Sequence, residues 1–180
     1  MGLFSRKPKL PPADRPPLTA DERVLAWAAA GNGEGDGVVV ASNLGLWLPG
    51  RGHRLGWHAI LKAVWSGREL TVTPAETLAE RDGYTVVVDG PAETYLLLDP
   101  GELPHQVRAR VTRSVAYTEH HPVPGGAARV AARRVAGVDG LTWTVRLDPG
   151  TAPDNEDLIA ETDRLVTTAR AATAPSSTLI

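Results

Sequence analysis

The chain has 180 residues but no cysteine, one methionine, one phenylalanine and no long apolar run. The absence of cysteine excludes disulfide bonds, thiolate zinc sites and a cysteine nucleophile. No apolar stretch reaches the roughly 18 residues that a membrane-spanning helix needs. The first residues are basic and are followed by prolines, which is not the pattern of a secretory signal. Together these absences predict a cytoplasmic protein.

Neither sign of charge is in large excess, because 19 Lys and Arg stand against 21 Asp and Glu, a formal net charge of −2. A chain with this balance of charge is not expected to bind nucleic acid. The N-terminal segment 1–19 holds five prolines and four basic residues, Arg6, Lys7, Lys9 and Arg15. It is predicted to be a disordered tail in which Lys7 and Lys9 give at most weak contact with an anionic membrane surface. Residues 173–180 are predicted to form a second loose tail.

Alternating apolar residues and glycine-rich turns predict that most of residues 20–115 form β-strands. Seven strands are predicted, near 23–30, 36–42, 44–49, 53–57, 69–73, 83–89 and 93–98. The last two are expected to pair as a hairpin. A helix near 103–114 is predicted next, because four apolar residues recur there at intervals of four. These residues are Leu103, Val107, Val111 and Val115.

The rest of the chain predicts three further strands and a second helix. The strands lie in SVAYTEHHPV, ARVAARRVAG and LTWTVRLD, which PGG and VDG turns separate. The inward side chains of the last strand are expected to be Leu141, Trp143, Val145 and Leu147. The helix is predicted over about 153–171, with acidic residues in its first turn. We therefore predict an α+β, mainly β protein in which a β-β-β-α extension, 116–172, packs on the preceding domain.

The stretch VVVASNLGLWL…HRLGWHAI…GRELTV resembles the bacterial and GRAM-type members of the pleckstrin-homology-like superfold. The resemblance covers about residues 22–115 and concerns apolar positions. It implies a seven-stranded antiparallel barrel capped by a helix, which binds a protein or a lipid. One loop departs from the lipid-binding pattern, because GNGEGDG carries Glu34 and Asp36, which would repel a phosphate.

Residues that often carry chemistry do not fall into catalytic or metal-binding motifs here. None of the six serines lies in G-x-S-x-G, and no GK[ST] follows the glycine-rich loop. His120 and His121 are neighbours on a predicted strand, so their side chains are expected on opposite faces. We therefore expect no catalytic residue, no cofactor and no metal site.

Two features are candidates for binding a partner. Three arginines lie off the apolar stripe of the first predicted helix: Arg108, Arg110 and Arg113. They would either steer an acidic partner or face solvent. Trp47 is predicted on the face of its strand opposite three leucines, where it would anchor a partner or be covered by the extension.

The leading hypothesis is a non-catalytic cytoplasmic adaptor that recognises a protein partner. One alternative is a peripheral module for anionic membranes, and the other is a small enzyme whose motif is not recognised. Neither the identity of the partner nor the oligomeric state is predicted.

Overall fold

The computed structural model describes residues 9–31 and 36–175, which are mainly β-sheet with two helices. The strands are β1 (Val24–Gly31), β2 (Asp36–Ser42), β3 (Gly45–Trp47), β4 (Leu55–Gly56), β5 (Ile60–Trp65), β6 (Glu69–Arg81), β7 (Tyr84–Asp89), β8 (Glu93–Leu98), β9 (Val115–Val123), β10 (Gly126–Arg133) and β11 (Thr142–Leu147). The helices are α1 (Leu103–Ser114) and α2 (Glu156–Thr173). The predicted α+β, mainly β class is confirmed, and both helices lie where they were predicted.

The chain divides into two compact units. The first consists of Met1–Pro74 and Pro91–Thr112, and the second of Ala75–Gly90 and Arg113–Ile180. Strand β6 contributes to both, since its residues up to Pro74 belong to the first unit and the rest to the second. The hairpin of β6 and β7 is therefore grouped with the C-terminal strands, although the sequence places residues 75–90 within the preceding domain.

The first unit contains an antiparallel sheet with the strand order β4-β3-β2-β1-β8-β6-β5. Among the described residues, the end strands β4 and β5 do not pair with each other. The sheet is therefore open. The sheet has seven strands, as the sequence predicted, but one of the seven differs. Strand β5 belongs to it, whereas β7, which was predicted in its place, belongs to the second unit.

Alternation along the strands builds the core of the first unit. On β1, Ala26, Ala28 and Ala30 are buried while the residues between them are partly exposed. Helix α1 adds Leu103 and Val107 to this core, because side chains four residues apart lie on one face of a helix. Val111 packs against the same cluster.

The second unit has a five-stranded sheet in the order β6-β7-β11-β10-β9. Strands β7 and β11 are parallel, and the other neighbours are antiparallel. Helix α2 begins after Asn155, whose side chain accepts hydrogen bonds from the backbone N–H groups of Asp157 and Leu158. This N-cap satisfies two donors that the first turn of a helix otherwise leaves without partners.

The core of the second unit combines β11 with α2. Trp143, Val145 and Leu147 are buried as the alternation predicts, but Leu141 is 38% exposed because it precedes the strand. Five residues on one face of α2 are buried: Leu158, Thr162, Leu165, Val166 and Ala169. The three C-terminal strands and the second helix are therefore present as predicted.

Two predictions about strands are wrong. One strand, near 53–57, was predicted in the region HRLGWHAILKAVW, but the region contains two, because a 3-10 turn at Trp57–Ala59 separates β4 from β5. Strands β7 and β8 do not form a hairpin, since the turn at Asp82–Gly83 pairs β7 with β6 instead. Gly83 has a φ of 80°, a conformation that glycine adopts readily and that Asp-Gly hairpin turns require.

Parts of the predicted tails and of the first loop lie outside the described residues. This applies to 1–8, with Lys7, to 176–180, and to residues 32–35 of the GNGEGDG loop, with Glu34. Residues 9–19 are described and contain a 3-10 turn at Pro12–Asp14. In this turn the backbone N–H of Asp14 donates to the carbonyl of Pro11 at 3.0 Å.

Candidate functional site

Strand β5 forms one end of the sheet in the first unit. Its described pairing is with β6 alone, and its side chains alternate between partly buried and exposed after Ile60. In an antiparallel end strand, every second residue directs its backbone N–H and C=O away from the paired neighbour. The outer edge of residues 61–65 can therefore hydrogen-bond to an added strand.

Helix α1 lies beside this strand and the two elements enclose a cavity of about 490 Å³. The cavity is lined by Ala63, Val64, Trp65, Leu70, Pro104, His105, Val107 and Arg108. Its size falls within the range of pockets that hold ligands or several side chains. The strand contributes mainly apolar surface, whereas the helix contributes apolar side chains together with the Arg108 guanidinium and the His105 imidazole.

The periodicity of α1 explains how the helix provides both kinds of group. Val107 is 1% exposed and belongs to the core, so the stripe that includes it faces the sheet. His105 and Arg108 are three residues apart, which places them as neighbours on the helix surface next to that stripe. Both are exposed. One turn of helix α1 thus places a guanidinium and an imidazole beside the apolar lining of the cavity.

The charge around the cavity is predominantly positive. Arg108 lines it with a guanidinium, and no carboxylate does so among the described residues. The exposed Lys62 lies on β5, and Arg68 follows it in the turn before β6. The exposed Glu69 is close in sequence but does not line the cavity. This distribution favours an anionic group beside an apolar side chain.

Trp47 occupies a different environment from the one that the sequence suggests for an anchor. It is 8% exposed, and its indole Nε1 donates to Glu22 Oε1 at 2.9 Å. Trp47 lines a second cavity of about 250 Å³ together with Val38, Val40, Pro16 and Pro17. Trp47 is therefore a buried side chain that shares a cavity with Pro16 and Pro17 of the N-terminal segment, and not an exposed anchor.

Glu22, the hydrogen-bond acceptor of Trp47, has several further partners. Its fully buried carboxylate accepts hydrogen bonds from Ser42 Oγ at 2.5 Å and from the backbone N–H of Thr19 at 3.3 Å, and it pairs with Arg54 Nη1 at 2.5 Å. Burial acts to raise the pKa of Glu22, but the hydrogen bonds from Ser42, Trp47 and Thr19 and the charge of Arg54 outweigh it and lower this pKa. A buried charge with this many partners fixes the N-terminal segment to the sheet.

A further ion pair lies at the edge of the second cavity. Arg51 donates to Glu93 through Nη2 at 2.7 Å and through Nε at 3.2 Å, and Tyr95 Oη donates to the same carboxylate. The hydrogen bond from Arg51 lowers the pKa of Glu93, which burial acts to raise. These groups satisfy one another, so we assign them a structural role.

The three arginines predicted as a partner surface do not share one environment. Arg108 is exposed and lines the cavity beside β5. Arg110 is half-buried, and its Nε is buried without a hydrogen-bond partner in the described part of the chain. Arg113 is exposed, and it follows Arg108 by five residues, which places it on another side of the helix. Only Arg108 therefore joins the candidate site.

The neighbouring histidines have separate partners. His120 Nε2 lies 2.9 Å from Asp148 Oδ2, and His121 Nε2 lies 3.6 Å from Glu119 Oε2. Within residues 9–31 and 36–175, no three His, Asp or Glu side chains are grouped as metal ligands would be. Each histidine thus has a carboxylate neighbour in the second unit.

Sequence reasoning missed the site's main component, the end strand β5. The signal was present in ILKAVW, because a lysine inside an otherwise apolar strand is typical of a sheet edge. The open side of β5 depends on long-range pairing, which the local pattern does not contain. Arg108 was identified from helix periodicity, but its neighbour His105 was not.

Comparisons of the chain with protein-family models, with curated proteins and with solved structures found no match. In the described residues, neither helix combines the length and apolar character needed to cross a membrane.

Proposed function

We propose that the protein is a non-catalytic binding protein, and that it recognises a partner protein through the groove between β5 and α1. The observation that carries the proposal is the coincidence of three features at one place. These are an end strand with an open edge, an adjacent apolar cavity, and Arg108 at the cavity wall. An extended peptide can add to such an edge through its backbone and be selected through its side chains.

The chemistry of the groove defines the segment that it takes. Trp65, Leu70 and Val107 provide an apolar wall for one side chain. Arg108 and His105 provide donors for a carboxylate close to that side chain. We therefore propose that the bound segment is extended and combines an apolar residue with acidic neighbours.

The proposed function agrees with a pleckstrin-homology-like interpretation of the first unit. Seven antiparallel strands followed by a helix support that interpretation. In this proposal the unit is a barrel-like sheet that stays open between β4 and β5, and α1 lies at the open side of β5. Recognition of a protein then uses the edge of the sheet and not the loop that carries Glu34 and Asp36.

The experiment that tests this function is selection from a display library of random peptides of about eight residues, a length that covers a six-residue strand. We expect enrichment of extended sequences that have an apolar residue flanked by Asp or Glu. In fluorescence anisotropy with the full chain, Arg108→Glu should weaken the best peptide by about tenfold or more, since a hydrogen bond to a charged group contributes about 1.5–3 kcal/mol.

Arg113→Glu is the matched control, because it makes the same charge change at an exposed residue of the same helix outside the cavity. It should leave peptide affinity nearly unchanged. An equal loss in both variants would mean that general charge, and not the groove, determines binding. Binding of the chain to anionic vesicles in place of any peptide would support the membrane alternative and contradict the proposal.

A further inference from the structure

The second half of β6 offers an unusual exposed segment in the second unit. Its residues Ala75–Arg81 pair with β7, and β7 is their only strand partner among the described residues. The register shifts between Thr77 and Ala79, so Leu78 is the extra residue of a β-bulge. Leu78 is 41% exposed. An apolar side chain is thus presented at the bulge, and the backbone on either side of it has no second strand partner among the described residues.

Acidic residues flank this leucine on both sides. Glu76 and Glu80 are exposed and each lies two residues from Leu78. The bulge places them on opposite faces of the strand, because Glu76 is opposite Val88 and Glu80 is opposite Thr85, whose hydroxyl donates to Glu80 at 2.9 Å. The segment therefore has a backbone edge without a second strand partner among the described residues, a central apolar side chain and one carboxylate on each face. This is the combination that the groove between β5 and α1 should bind.

The two units also carry opposite net charges. The first has 11 Lys and Arg against nine Asp and Glu, a net +2, and the second has eight against 12, a net −4. Surfaces of opposite charge accelerate association and favour particular partners. The +2 of the first unit comes from residues 1–19, which carry a net +3, so the relevant charges are local. Arg108, Lys62 and Arg68 lie at or near the groove and Glu76 lies beside Leu78, so a contact between these two surfaces is electrostatically favourable.

We propose that the occupant of the β5–α1 groove is a second copy of this chain, which docks through the edge of its β6 around Leu78. This inference rests on the proposed function and names its partner. In this arrangement Leu78 enters the cavity bordered by Trp65 and Val107, and Glu76 lies toward Arg108. The two surfaces differ, so each contact leaves one groove and one β6 edge open, and further copies can add.

Sedimentation velocity of the full chain tests this arrangement over about 10 µM to about 1 mM, a range that suits small transient interfaces. We expect the weight-average sedimentation coefficient to rise with concentration beyond the value of a dimer, and to fall back when salt is added. Arg108→Glu and the double variant Glu76→Arg with Leu78→Ser should each remain monomeric. The altered positions are exposed, so the fold should persist.

A mixture of the two variants gives the sharpest result. The Arg108→Glu chain keeps its β6 edge, and the Glu76→Arg/Leu78→Ser chain keeps its groove. An equimolar mixture should therefore form heterodimers that do not grow further. Arg113→Glu and Asp139→Arg are the matched controls, since both positions are exposed and lie outside the two surfaces. They should associate like the wild type.

Failure of this inference is distinguishable from failure of the proposed function. A wild-type chain that stays monomeric at all concentrations, or a mixture of variants without heterodimers, overturns self-association. A labelled peptide of residues 74–82 that fails to bind the full chain overturns it as well. If library-selected peptides still bind and Arg108→Glu weakens them, the groove recognises another protein. If no peptide binds, the proposed function itself fails.

Discussion

The two units both place one helix against a sheet, but the helices cover their sheets to different extents. Helix α2 has 18 residues and buries five side chains along one face. Helix α1 has 12 residues, and the side chains that it adds to the core are mainly Leu103 and Val107. The first unit consequently retains a cavity of about 490 Å³ beside an end strand. The less completely covered sheet is the one available for binding.

Removing the C-terminal part of the second unit should produce the largest effect on the protein. Truncation after residue 115 deletes β11, which pairs with β7, and deletes α2, which covers the buried Tyr84 and Val86. The remaining β6–β7 hairpin would expose apolar side chains, so we expect an insoluble or molten fragment. The measurement is an amide NMR spectrum of residues 20–115. A soluble fragment with sharp, dispersed lines would show that the hairpin does not need its partners.

A charge placed in the α1 stripe should have the next largest effect. Val107 is 1% exposed, so Val107→Asp buries a charge without a partner and should lower the free energy of unfolding by about 2–4 kcal/mol. Thr112→Asp is the control, because Thr112 is exposed on the same helix. It should change stability by about 0.5 kcal/mol or less. Equal urea midpoints for the two variants would mean that α1 is not docked on the sheet.

The locations of the two helices could be predicted from the sequence for a physical reason. Helix periodicity and capping depend on residues that are close together in the sequence, and the apolar residues of each helix recur every three or four positions within one short segment. The pairing partner of a strand can be distant in the sequence. The sequence therefore did not indicate that β7 pairs with β6 and β11 and not with β8. Trp47 shows the same limitation, because its alternation predicted the face of the strand but not Glu22, which lies 25 residues earlier and accepts its hydrogen bond.

The candidate site was predictable only in part. Arg108 follows from its position on α1, whereas Arg110 and Arg113 are equivalent to it in the sequence and are separated from it only by packing. The cavity depends on how α1 lies against β5, and no residue pattern encodes that distance.

Replacement of Glu22 by glutamine should have a moderate effect that depends on pH. The variant keeps an acceptor for Trp47 and Ser42 but loses the charge that pairs with Arg54, at a cost of about 1–2 kcal/mol at pH 7. The pKa of Glu22 is lowered in the fold from its ordinary value of 4.5. Its ionised form therefore stabilises the fold above pH 4.5, and this contribution is lost as the pH falls through the lowered pKa.

The measurement is chemical denaturation of both proteins at several pH values. The difference in unfolding free energy between wild type and Glu22→Gln should be constant near neutral pH and shrink in acid. A difference that does not change with pH would mean that the charge of Glu22 does not contribute to stability.

The smallest effect on stability is expected at the site itself. Arg108 is exposed, so Arg108→Glu should shift the free energy of unfolding by about 0.5 kcal/mol or less, while it weakens peptide binding. Thermal unfolding followed by circular dichroism provides the check. A large loss of stability would assign Arg108 to the packing of α1 and remove it from the binding surface.

The most direct test of the account is amide hydrogen exchange in β5 with and without a library-selected peptide. Strand addition predicts that alternate amides of residues 61–65 become protected when the peptide binds, because only every second residue faces the open edge. Protection in the other strands of the first unit should change little. Binding that leaves the amides of β5 unchanged, or that protects another surface instead, would contradict the claim that the β5–α1 groove is the binding site.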